Sequence, residues 1–451
     1  MSSMENQRVE VATFEAWRCR SRRGYSQYVL GILGLITVLD YYDRSLISIL
    51  IEPIERGLHL DDAQIGLLTG FAFAFAYGVF GIPLARLADR YGRVRVLTAG
   101  VFVWSVMTVV TARAVGFATM ALARSGVALG EAGAFPSIQA LVSDYFPVHR
   151  RGTALSVIGV CGGIGLTFAL AGGGMLNDWL GWRGAFLLSG APGLVLAVLL
   201  WLTVREPVRG GVSPVGVARA DDPGLGASLR ILMGRRSFVH LCIGLALVCI
   251  GAYAQSTWTP AFLMRTYHFS TGEVGAYYSA AVGPGTLVSI FVGGLLNDWF
   301  LRRRHHAAPV WILVAAFAFM VPPAIVTYLT RDFALAMGLT LGTTLLGGIW
   351  IAPMYAVVQS LAGPDLRALA AAVASVITSV IGLSAGPYVA GLLSDLLAPR
   401  FGARSLGISL CLLNATYVMG IVHFLLAIRT IKTDVAEAEG LAISSRDRGT
   451  A

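Results

Sequence analysis

Charge is what this sequence has least of. Of 451 residues, 13% are charged and 56% hydrophobic, with a mean hydropathy of +0.71. A soluble fold of this length needs a far more charged surface, so the balance points to a polytopic membrane protein. Lysine is nearly missing: Lys432 stands alone beside 33 arginines, a bias that a GC-rich genome accounts for. The five cysteines (Cys19, Cys161, Cys242, Cys249, Cys411) show no CxxC or metal-ligand spacing, and four lie in apolar runs, where they read as small core residues. The seven histidines are scattered, which argues against a membrane enzyme with a clustered catalytic site. Glycine-rich pieces such as "GVCGGIG" are not followed by Lys-Ser/Thr and lie inside apolar runs. They read as close helix contacts rather than a phosphate loop, and no cofactor or metal site is expected. No small-residue cleavage site follows the first apolar run, which is expected to stay as a helix.

Apolar runs of about 20 residues are what the sequence has in abundance. With turn and charge punctuation they predict twelve helices near 25–50, 64–87, 95–115, 118–146, 151–176, 184–204, 238–264, 272–299, 308–329, 333–361, 366–396 and 404–430. The net charge of +9 falls in short clusters between the runs, which sets topology rather than marking nucleic-acid binding. Arg18/Arg20/Arg22/Arg23, Arg90/Arg93/Arg95, Arg150/Arg151, Arg205 to Arg236, Arg302/Arg303/Arg304, Arg367 and Arg429/Lys432 all fall on one side. Both termini are therefore expected in the cytoplasm. The opposite loops are short and mixed or acidic, with Glu52, Glu55, Asp61 and Asp62.

The expected organisation is a cytoplasmic segment 1–24, a six-helix bundle 25–204, a linker 205–237, a second bundle 238–430 and a cytoplasmic tail 431–451. The halves echo each other. Gly174 and Asp178 in "GMLNDWLGWRGAF" match Gly391 and Asp395 in "GLLSDLLAPRFGARS", and Asp89 in "ARLADRYGRVR" matches Asp298 in "GLLNDWFLRRR". Duplication of 6+6 helices marks a rocking transporter with a central site between its halves. A channel is disfavoured, since no re-entrant filter signature breaks a helix pair.

One apolar run breaks its own rule. "TVLDYYDRSLISIL" carries Asp40, Asp43 and Arg44, spaced i, i+3, i+4 on one helix face. A charge at bilayer depth costs at least about 2.5–3.5 kcal/mol, so three in five residues call for a function or an internal ion pair. Glu131, in the fourth run, lies at comparable depth, with Arg124 seven residues before it on the same face, about two turns and about 10 Å above.

These residues sit in recognisable motifs. The loop after the second run places Ala85, Asp89, Arg90, Gly92, Arg93 and Val94 on the pattern Gly-x-x-x-Asp-Arg-x-Gly-Arg-(Arg/Lys), lacking the first Gly and the last basic residue. A second copy has Gly294, Asp298, Arg302 and Arg303, and "RSGVALGEAGAFPS" in the fourth run follows Arg-x-x-x-Gly-x-Gly-Glu-Ala with Ala128 at the first Gly. The sequence thus resembles the major facilitator superfamily. Over about 28–206, "DYYDRSLISILIEPIERGLHLDDAQIGLLTG", "GIPLARLADR" and "GEAGAFPS…SDYFP" resemble the bacterial form of its Spinster-like branch, with the anion:cation symporter branch as the nearest competitor.

The resemblance implies an all-α membrane fold of two pseudo-symmetric six-helix bundles, no enzymatic activity, and a monomer in the bacterial inner membrane. It places helices 1 and 4 side by side along a cavity. There Asp43 and Glu131 are expected to carry the proton, Arg44 to be their switchable partner, and Arg124 to hold an anionic group; Asp40 reads as a solvated cavity residue. A carboxylate in a dry cavity favours its neutral form and a nearby guanidinium its charged form, so moving the Arg toggles protonation. Trp350, Tyr355 and Gln359 are the expected substrate contacts of the neutral, aromatic C-half. Asp89 is expected to approach the N-terminus of helix 11 and Arg90 to pair with Asp144, latching the cytoplasmic side. The implied activity is proton-coupled movement of an anionic amphiphile such as a lysophospholipid or sphingosine-phosphate; the alternative is symport of a small organic anion such as a sugar acid.

Overall fold

In lipid the backbone must satisfy its own hydrogen bonds, and the apolar runs do so as helices. A computed structural model describes residues 23–207, 224–302 and 307–447. Most of the expected N-terminal segment, including Arg18, Arg20 and Arg22, lies outside the described residues, as do the central part of the linker, Arg303 and Arg304, and the last four residues.

The crossings are α1 (Arg23–Ile49), α2 (Asp62–Gly66, a π-helical turn Leu67–Phe71, then Ala72–Tyr91), α3 (Arg93–Thr111) and α4 (Phe117–Ala132 and Ala134–Tyr145). Helix Val148–Thr203 holds two crossings, α5 (148–180) and α6 (182–203), which part at Gly181 with φ 70°. The second half has α7 (Arg236–Tyr267), α8 (Thr271–Arg302) and α9 (Ala308–Leu329). It continues with α10 (Phe333–Gly347, then 351–362) and, beyond a break at Gly363, α11 (364–401), which includes the π-helical turn Ile377–Gly382. Last comes α12 (Ser405–Asp447). Eight helical stretches, two of them double crossings, are long and apolar enough to span a membrane; α1 and α4 fall outside that set, and they are the two that carry the expected site charges. Among the described residues that makes twelve crossings, so Arg23 and Asp447 lie on one face, here the terminal face; the other is the distal face.

Two expected boundaries move. A helix, Gly224–Gly234, forms inside the expected linker with Leu232 buried. α12 continues well past 430 because Ile431, Val435 and Ala438 are buried and Asp434 accepts the Ser237 N–H at 2.8 Å, capping α7.

Packing separates the two faces. On the distal side a single apolar cluster joins the halves, bringing Leu46, Ile54 and Phe186 together with Trp258, Phe262 and Val274. Toward the terminal face the buried cores are separate, one within each half, around Trp104 and Leu141 in the first and Phe238 and Phe424 in the second.

The distal join is built from the sequence echo. Asp178 at the end of α5 accepts the Gly272 N–H at 2.9 Å, at the start of α8, and the Ser270 hydroxyl at 2.7 Å. Asp395 of α11 accepts the Asp62 and Ala63 N–H groups at 3.2 and 2.7 Å, at the start of α2. Each carboxylate meets the positive end of a helix in the other half. Gly174 and Gly391 permit the approach: a Cβ on Gly174 would collide with the Thr271 carbonyl, and one on Gly391 with the Asp62 carbonyl.

Gly174→Val or Gly391→Val is therefore expected to hold the distal ends apart, at an overpacking cost of about 1–3 kcal/mol. In a background without native cysteines, Val274→Cys, fully buried in the joined state, is expected to react with a membrane-impermeant maleimide about ten-fold faster when either valine is present. Unchanged labelling would show that these glycines do not set the seal.

Candidate functional site

α1, α2, α3 and α4 bring the intramembrane charges together in two groups rather than one. In the first, Arg44 Nη2 lies 3.0 Å from Glu131 Oε2 and 3.3 Å from Asp40 Oδ1. Its guanidinium carbon sits 5.7, 5.3 and 5.2 Å from the ring centroids of Tyr41, Phe73 and Tyr77. Phe73 and Tyr77 stand one helical turn apart on α2 and wall the cation with aromatic faces. The Arg44 side chain keeps 30% exposure while that of Glu131 has none, so the arginine is the accessible member of the pair.

In the second group, Asp43 turns away from Arg44. The Thr108 hydroxyl of α3 donates to its Oδ2 at 3.0 Å, and Arg124 Nη1 reaches its backbone carbonyl at 3.5 Å. Arg124 lies 5.5 Å from the Phe73 centroid, so one ring touches both guanidinium groups. Glu131 Oε1, Asp43 Oδ1, Arg44 Nε and Arg124 Nε are buried without a hydrogen-bond partner. Buried polar atoms are usually paired, and these four orphans divide evenly between the two groups.

The placement revises several expectations. Asp40 is not solvated; it is 7% exposed and shares Arg44 with Glu131. The expected pairing of Asp43 with Arg44 is replaced by that of Asp43 with Thr108, a residue without any signal in an apolar run that holds other Ser and Thr. Arg124 is 1% exposed and in this conformation presents nothing to a ligand. In the C-half, the Trp350 indole donates to the Gly347 carbonyl at 2.8 Å and faces Phe317 in the core, Tyr355 packs against the same core, and Gln359 is exposed. None of the three meets the charged groups. The second half does reach α1, which carries Arg44, through α7 packed against it.

At the terminal face, Arg93 rather than Arg90 bonds Asp144, and Asp89 lies 3.5 Å from the same Arg93. The Arg90 guanidinium rests 5.4 Å from the Tyr91 ring. All of these residues belong to the first half. Glu206, after α6, accepts the Arg93 and Val94 N–H groups at 2.5 and 2.9 Å and caps α3. Among the described residues, the ion pairs that cross between halves all lie at the distal face, on Arg265 of α7. Its guanidinium bonds Glu52, Glu55 at 2.7 Å, and Asp62 at 2.7 and 2.9 Å, while Arg56 holds Glu52 from the other side at 3.3 Å. The acidic loop was legible in the sequence; Arg265, at the end of an apolar run, was not.

Comparison with known proteins agrees with this architecture. Residues 33–387 match the Major Facilitator Superfamily. An "MFS-type efflux pump" of Mycolicibacterium smegmatis is 35% identical over 96% of this chain and 99% of its own. "Protein spinster homolog 1" of Homo sapiens is 28% identical over 92% and 83%. The "Probable L-galactonate transporter" of Escherichia coli is 26% identical over 68% and 71%. A solved bacterial homologue of the human lysosomal transporter Spinster, in an inward-facing and unoccupied conformation, superposes with a TM-score of 0.84 at 29% identity, covering 92% of this chain and 99% of that one. The Spinster likeness, strong in sequence over the first half, thus extends along nearly the whole chain.

Three carboxylates on one guanidinium make the distal seal sensitive to pH. Burial pushes the Glu55 carboxyl up to about 8 against the pull of Arg265, and Asp62 and Glu52 push the same way. The closed face then holds a proton that a parted face, with Glu55 back at its ordinary value, would release. Closure is most favoured below about pH 4.5, weakens by up to about 1.4 kcal/mol per pH unit as pH rises from there to about 8, and is level above that. Spin labels across the distal face are expected to report progressive opening between about pH 5 and 8 and no further change above it, with Glu55→Gln closed throughout; a pH-independent wild type would contradict this.

Proposed function

The chain belongs to the major facilitator superfamily, and we propose that it moves an anionic amphiphile by proton-coupled alternating access. The observation that carries this reading is Arg44, an accessible guanidinium held between Glu131 and Asp40 and walled by Tyr41, Phe73 and Tyr77. A phosphate or carboxylate head suits the cation, and aromatic faces suit an apolar body. The Spinster-like relatives support a lysophospholipid or sphingosine-phosphate-like substrate.

With the basic loops inside, the terminal face is cytoplasmic, and separate cores there with joined halves at the distal face make this the inward-open state. An anionic head that draws Arg44 away leaves Glu131 without its counter-charge, free to take a proton. A proton on Glu131 in turn releases Arg44 to the anion. Proton and anion bind in mutual support, so they travel together. In the opposite state, Asp89 approaches the start of α11 and makes at the terminal face the kind of contact that Asp395 makes at the distal one. Asp43 with Thr108 and Arg124 is a second protonatable site behind Phe73. The galactonate relative favours a second reading, symport of a sugar acid on the same arginine.

In proteoliposomes, uptake of lysophosphatidylglycerol is expected to exceed that of L-galactonate and to respond to a pH gradient. Glu131→Gln is expected to retain transport while losing the response; full coupling in that variant would refute the assignment. Arg44→Gln is expected to lower transport by ten-fold or more, as for loss of a charged hydrogen bond of about 1.5–3 kcal/mol.

A further inference from the structure

Outside the central site, the second half carries a cavity of about 980 Å³ between α8, α9 and α10, with Lys432 of α12 in its lining. Trp311, Ala315 and Phe319 follow one another at helical spacing on α9, and the small Ala315 leaves a trough between two large rings that are 52% and 72% exposed. Phe300 closes the terminal-face end and Ile349 the inner end. From Ala308, at the start of α9, to Phe319 is eleven residues, about 16 Å of helix. That is close to half of a bilayer core of about 30 Å, so the trough spans one leaflet. Lys432 stands 27 residues beyond the distal start of α12, about 40 Å along it, and therefore at headgroup level. It is the only lysine of the chain, its side chain is exposed, and it has no ion-pair partner among the described residues.

We propose that this trough is a binding site for an anionic glycerophospholipid of the leaflet at the terminal face, its acyl chain lying along Trp311, Ala315 and Phe319 and its phosphate on Lys432. Any lipid-facing surface meets acyl chains. What distinguishes this one is a concave apolar path of one leaflet's length that ends at an unpaired ammonium, where a zwitterionic lipid gains less than an anionic one. The site is separate from Arg44 and does not rest on the transport reading.

The test is quenching of tryptophan fluorescence in nanodiscs that contain brominated phosphatidylglycerol or brominated phosphatidylcholine. The component removed by Trp311→Phe is expected to be half-quenched at about five-fold lower mole fraction of the phosphatidylglycerol, the preference that one basic residue near an anionic surface confers. Lys432→Gln is expected to bring the two curves together, and Ala315→Phe, which fills the trough without adding a fluorophore, to weaken quenching by both lipids. Equal curves in the wild type would overturn the proposal. So would a preference that survives Lys432→Gln.

Discussion

A carboxylate seated on the N-terminus of a helix in the opposite half is the contact on which this conformation depends. Asp178 on α8 and Asp395 on α2 make it twice, related by the internal duplication. The chemistry is that of any helix cap, but because the partners belong to different halves each cap is also a fastener. Glu206 on α3 and Asp434 on α7 use the same chemistry inside a half, where they fix helices rather than join bundles. Four carboxylates thus divide between rigidity and reversibility according to which half the recipient helix belongs to.

The fastened face and the buried charges work against each other productively. The distal ends are held by apolar packing, by the two caps and by Arg265. Nothing comparable crosses between the halves at the terminal face among the described residues. Arg44 stands two residues before Leu46, a member of the joined cluster, and so on the terminal side of that cluster. Its ion pairs stay within the first half, whereas α7 packs against α1 from the second. A ligand that bridges Arg44 and the α7 surface would contact both halves, the geometric condition for coupling occupancy to rocking.

Much of this was legible in the chain itself, for a physical reason. Charge in lipid is costly enough that Asp40, Asp43, Arg44, Arg124 and Glu131 announce a site, and the paired motifs announce two halves. Which residues pair was not legible. A helix face spans several rotamers, and residues three positions apart on it still diverge by about 60°, so Asp40 took the Arg44 partnership expected of Asp43, and Arg93 took the place of Arg90 opposite Asp144. Thr108 and Phe73 gave no signal because hydroxyls and rings are common in lipid-facing helices. In the C-half the same ambiguity made core aromatics such as Trp350 look like ligand contacts.

The π-helical turns in α2 and α11 each hold one residue more than ordinary winding would use, and both sit near where the two helices cross. Passing that surplus residue along the helix swings the intervening stretch by about 100° about its axis, since one residue is that fraction of a turn. The side chains lining the space between the halves would thereby be re-indexed while both ends of each helix stay anchored, a torsional change distinct from any movement of one bundle against the other.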